Sequence, residues 1–217
     1  MPRRVSEDHE GAAFALGLPT SSQNAPAGLR RGRDALAFAW AIGLVLWILL
    51  HASLLADTTA FARAAAVFDR PMLVWLEAAF GYLCIVSVSS NLRQQLTDTE
   101  RATAHLVLSV LAIASYGYHL FLLRWPWLTG EAEATSRYAV WSAVLSTTWH
   151  GVPALAFGEL LGIAILLTHS FIGLSVTAPW QRMGAGTPRL HVALAVVGLV
   201  TFILACSVVI TLATGRR

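Results

Sequence analysis

The chain has 217 residues, 56% of them apolar against 12% charged, with a mean hydropathy of +0.63. The apolar residues come in long blocks, which excludes an ordinary water-soluble globular domain and points to an integral membrane protein. The basic residues are all arginine, 15 against 12 acids, and a formal +3 spread along the chain is too slight for nucleic-acid recognition.

Residues 1–34 are polar and rich in Gly, Pro and Ser. Arg3-Arg4 is followed by SEDHE rather than by an apolar core, which argues against a cleaved signal peptide. This segment is expected to be a flexible cytoplasmic arm. Five apolar runs follow, each near the 20 or so residues needed to cross a hydrocarbon core about 30 Å thick. They are Ala35 to Ala56, Pro71 to Leu92, Ala102 to Leu123, Val152 to Ala178 and Leu190 to Thr214. Helices satisfy their own backbone hydrogen bonds in lipid, so residues 35–214 are predicted to form an all-α, five-helix membrane bundle. The bundle uses up most of the chain, and its length excludes a repeat-built transporter of ten or more spans.

Arg30, Arg31 and Arg33 sit just before the first run and favour a cytoplasmic N-terminus. Alternation then places Arg93, Arg101, Arg182 and Arg189 on the same side, against Arg63, Arg70, Arg124, Arg137, Arg216 and Arg217 outside. That balance is nearly even, so the direction rests on the first triplet. The aromatic stretch Tyr138 to His150 is too short to cross and is expected at the outer interface. Cys84 and Cys206 lie inside apolar runs with no CxxC, CxxCH or Cys/His zinc spacing, which disfavours disulfide scaffolds, zinc modules and covalently attached haem.

Within the spans, His51, Glu77, His105, His119, Glu159 and His169 are the expensive residues, and an ionisable group at that depth is a functional hypothesis by default. His51 lies about 24 Å along the first span and His119 about 26 Å along the third, which runs the same way. Two imidazoles at matched depth on different helices suit bis-histidine ligation of a haem. Interhelical hydrogen bonding is the competing role for each. His169 lies toward the opposite, cytoplasmic side. No histidine in the second span matches it, although His105 sits within about 40° of the helix face of His119. For Glu77 and Glu159, pairing or facing a wet cavity ranks ahead of proton transfer.

In order and spacing, WILLHASLLA with His51, YGYHLFLLRWP with His119 and THSFIGL with His169 and Gly173 resemble the single-chain, five-helix cytochrome b anchor of succinate dehydrogenases and fumarate reductases. The resemblance implies a four-helix haem-binding core plus one peripheral helix, and His51, His119 and His169 as axial ligands of haem iron. The family's second-span ligand falls on Val88, flanked by Ser87 and Ser89, and neither valine nor serine replaces imidazole on iron. The resemblance therefore implies one haem b, against the family's two, unless His105 substitutes as the missing ligand. A Glu that some members carry two residues before the fourth-span His is Leu167 here.

Such a subunit does not oxidise succinate itself. It anchors a flavoprotein and an iron–sulfur subunit in the bacterial cytoplasmic membrane and passes electrons to membrane quinone, for which Ser89, Ser90 and Asn91 are candidate contacts. The alternatives are a b-type haem subunit of another respiratory complex, such as a hydrogenase or formate dehydrogenase, and a haem-free bundle. The latter is a degenerate paralogue, a small permease or an assembly protein.

The orientation has a direct test. A reporter active only in the cytoplasm should be active when fused at residue 1, and converting Arg30, Arg31 and Arg33 to Glu should lower that activity by moving chains into the inverted topology.

Overall fold

The computed structural model describes residues 27–95, 99–129, 137–175, 177 and 188–215. Their helices are α1 (Ala27–Ala52), α2 (Thr58–Phe68), α3 (Pro71–Gln95), α4 (Thr99–His119), α5 (Trp125–Leu128), α6 (Arg137–Leu145), α7 (Ala154–Ser175) and α8 (Pro188–Thr214). A 3-10 turn, Ser53–Leu55, follows α1, and a π turn, Leu120–Arg124, joins α4 to α5. Five segments are long and apolar enough to cross a membrane: Arg31–Leu55, Pro71–Asn91, Thr103–Arg124, Ala154–Ser175 and Val192–Thr214. The protein is an all-α membrane bundle.

The first helix begins at Ala27 rather than at Ala35, so the end of the expected arm is already helical. Gly28 and Gly32 are tolerated there because the run continues without interruption into the apolar span. Residues 1–26 lie outside the described residues. Boundaries elsewhere follow local chemistry. Asp57 accepts the amide of Thr59 at 2.8 Å and caps α2. Pro71 opens α3, where a missing N–H costs nothing. The turn into α7 runs through His150 and Gly151, both at positive φ, between the paired Trp149 and Val152, as a two-residue hairpin turn requires.

No span is more than 39% buried over its most apolar window, so most of each helix, including Leu46, Leu76, Val110, Leu161 and Leu199, faces outward. In water such a surface would be untenable; in lipid it is the ordinary state. Six hydroxyl groups in the spans are satisfied within their own helix. Ser90, Ser109, Thr168, Ser170, Thr201 and Ser207 each donate to the carbonyl four residues earlier.

The bundle packs as neighbours α1–α3, α3–α4, α4–α7, α7–α8 and α8–α1, with α1 also touching α7. α8 is the most lipid-facing helix, at 22% buried, yet it still contributes Ala205, Val208 and Leu212 to the interior. Near the N-terminal half of α1, Val88 from α3 packs against Gly173 of α7 so closely that a Cβ at residue 173 would collide with its Cγ1. Val88, Cys84 and Ile85 are all fully buried there.

Gly173→Ala should therefore destabilise the bundle by about 1–3 kcal/mol through overpacking. Val88→Ala in the same chain should recover most of that loss, with both read from the midpoint of detergent-induced unfolding.

Candidate functional site

At the other end of the bundle the five spans separate around a cavity of about 220 Å³. Its lining on α1 runs from Ala39 to His51, a length of about 18 Å at 1.5 Å per residue. The walls are apolar for most of that length, with Leu44, Ile48, Ile163, Leu166 and Val209 among them. The polar side chains His51, Glu77, Ser115, Tyr116, His119 and Glu159 also line it. Three lining residues, Ala39, Gly43 and Phe80, are also exposed on the bundle surface, so the cavity reaches the lipid-facing side between α1 and α3.

His51 and His119, on different spans, thus meet the same space. His51 is 7% exposed, and its ring stacks on Trp141 with centroids 4.9 Å apart and planes 19° apart. Its Nδ1 lies 2.7 Å from the carbonyl oxygen of Trp47. A carbonyl only accepts, so Nδ1 carries the proton and, in the neutral ring, Nε2 carries the lone pair. His119 has the same arrangement with a stronger acceptor: its Nδ1 donates to Glu159 Oε1 at 2.6 Å, and both side chains are largely buried. Imidazoles that ligate metals commonly engage the second nitrogen in this way.

His169 is placed differently. It is fully buried and does not line the cavity. Its Nε2 is 3.1 Å from Ser89 Oγ, whose own proton is given to the carbonyl of Ile85. His169 Nε2–H is therefore the donor, and Nδ1 holds the lone pair with no hydrogen-bond partner. This is the opposite tautomer to that of His51 and His119. His105 lies near the start of α4, away from the cavity, with Nδ1 buried and likewise without a partner. Among the sequence-level quinone contacts, Ser89 and Ser90 bond to their own helix, and Asn91 reaches Asp34 at 3.5 Å. The side chains of Arg93, Arg101, Arg182 and Arg189 fall outside those described.

Sequence reading missed two residues that build the site. Arg124, assigned to the outer membrane edge, is completely buried. It donates to Asp69 Oδ1 at 2.9 Å, Glu77 Oε2 at 2.8 Å and the carbonyl of Phe68 at 3.2 Å, and it lies over the Trp47 ring at 5.7 Å. The π turn makes this placement. In a continuous α-helix His119 and Arg124 would point about 140° apart, whereas i→i+5 bonding brings residues five apart onto one face. Pro126 supplies the cause, because its ring and missing N–H block the α-helical bond to Leu122. The available signal was an Arg two residues before that Pro, together with an acid, Glu77, inside the preceding apolar span.

The second residue is Trp141. The segment Tyr138 to His150 contains α6, which packs against the cavity and buries Trp141 to 2% exposure, with its indole N–H on the carbonyl of Leu123 at 2.7 Å. Near the end of the same segment Trp149 is 71% exposed.

Among the described residues no three His, Cys, Asp or Glu side chains converge as a metal cluster. His51 and His119, each with Nδ1 engaged, line the same largely apolar cavity and are the residues that would hold a b-type haem there. No family model, curated protein or solved structure matches the chain.

Arg124→Met strands Glu77 and Asp69 without their cation and should cost about 3–5 kcal/mol. Adding Glu77→Gln should recover part of that loss in the same unfolding assay.

Proposed function

We propose that the chain is a membrane cytochrome b subunit that holds one haem between His51 and His119 and passes electrons between a peripheral iron–sulfur partner and membrane quinone. The observation that carries this is the shared cavity, onto which two spans bring two imidazoles, each with Nδ1 already engaged. A haem held there would supply one-electron transfer. The chain's own residues do the rest. The Trp47 carbonyl and Glu159 fix the two ring orientations, Trp141 closes the space above His51, and the apolar walls exclude water. The gap at Ala39, Gly43 and Phe80 puts the cavity within reach of an apolar molecule dissolved in the bilayer.

The reading assigns no iron to His169, whose Nε2 is bonded to Ser89 and whose neighbourhood is filled by Val88. The succinate:quinone oxidoreductase assignment, with its flavoprotein and iron–sulfur subunits, rests on the order and spacing of the three histidine segments. Orientation with the N-terminus in the cytoplasm rests on the arginines before α1.

A haem-free bundle is the second reading. It is favoured by the polar pairs themselves, since His119–Glu159 and Arg124–Glu77 each join side chains from two different spans.

One experiment separates the two: haem content and the reduced-minus-oxidised spectrum of the detergent-purified protein from haem-replete cells. About one b-type haem per chain is expected, lost in His51→Ala and His119→Ala and kept in His169→Ala. A colourless wild type sinks the electron-transfer reading, and two haems restore His169 as a ligand. Succinate dehydrogenase activity co-purifying with a tagged chain would identify the complex; its absence when another respiratory activity co-purifies would reassign it.

A further inference from the structure

The two cavity imidazoles are backed by unlike acceptors. His51 gives its Nδ1 proton to a neutral backbone carbonyl, that of Trp47. His119 gives its own to a carboxylate, Glu159, over 2.6 Å, the shorter of the two contacts. The Glu159 side chain is 4% exposed, lies in the second turn of α7 and has His119 as its hydrogen-bond partner. A carboxylate held out of water in this way needs a strong donor, and the surroundings offer one. Arg124, the fully buried cation nearby, is already shared between Glu77 and Asp69. Ser115 and Gly162 pack where α4 and α7 meet, one turn along from the pair, and hold the two helices in register.

We propose that Glu159 is the positioning residue of the cavity: through His119 it fixes one axial nitrogen and lowers the reduction potential of the haem bound there. This inference rests on the haem reading above. A carboxylate on Nδ1–H pushes electron density into the ring and makes Nε2 a stronger donor, which favours the more positively charged, oxidised iron. A buried negative charge a few ångströms away acts in the same direction, because low-dielectric surroundings screen it weakly. His51 is backed by a neutral carbonyl, a weaker acceptor than a carboxylate, so its ring gains less electron density. The two ligands are therefore unequal, and His119 is the one that tunes the site.

The test is a spectroelectrochemical redox titration of the full-length, detergent-purified protein, wild type beside Glu159→Gln. Glutamine keeps an oxygen acceptor for Nδ1–H and removes the charge. The expected result, read on the haem-loaded protein, is a midpoint potential shifted upward and altered low-spin electron paramagnetic resonance g values. A residue that only holds helices together would move neither in the haem-loaded fraction. Unchanged potential and g values in Glu159→Gln would overturn the inference while leaving the haem reading standing. If Glu159→Gln does not accumulate, Glu159→Asp, which keeps the charge but withdraws it by one methylene, should also raise the potential, and an unchanged value there overturns the proposal equally. A wild type without haem overturns both the inference and the reading beneath it.

Discussion

Arg124 holds a full positive charge with no exposed surface, at the end of a segment apolar enough to cross a membrane. Such a charge is tolerable only when paired and hydrogen-bonded, and here Glu77 from α3, Asp69 from the end of α2 and the Phe68 carbonyl surround it. The surrounding architecture depends on that arrangement. It ties α3 to the end of α4 and pins the α2–α3 corner. It also supports Trp47, whose carbonyl in turn orients His51. Removing one partner is costly because the remaining charges have no water to turn to.

The position of Arg124 is itself a consequence of backbone chemistry. Pro126 cannot complete an α-helical hydrogen bond, the preceding turn widens to a π turn, and the widened turn rotates Arg124 inward onto the side of His119. A strict α-helix would aim the same guanidinium elsewhere. One imino acid therefore connects local geometry to the electrostatics of the cavity, in keeping with the tendency of π turns to occur at functional sites.

The two ends of the bundle differ in how they use space. At one, Val88 fills the room against Gly173, and His169 is tied to Ser89 by the nitrogen an axial ligand would use. At the other, His51 and His119 border open volume under the cover of Trp141. Close packing and an open slot are alternative answers to the absence of water in the bundle: polar groups either find partners or line a cavity. The Nδ1 atoms of His105 and His169 are buried with no hydrogen-bond partner, as are Trp40 Nε1 and Arg33 Nη1 among the described residues.

Five apolar blocks determined the all-α membrane bundle directly, because only helices that satisfy their own backbone can occupy that many residues in lipid. Span ends followed to within a few residues, except that α1 extends back to Ala27, where no apolar signal marks a boundary. Depth along parallel-running helices was also legible, and it placed His51 and His119 on one level. Rotation about each helix axis was not legible, since spans that are apolar on every side carry little periodicity to set it. Only the tertiary structure could decide that Glu159 faces His119, that Trp141 folds inward over His51, and that His169 bonds to Ser89. Each of these depends on which faces meet across helices far apart in the chain. Arg124 joins the same group, since hydropathy places an arginine at the end of an apolar run and only the π turn carries it into the core.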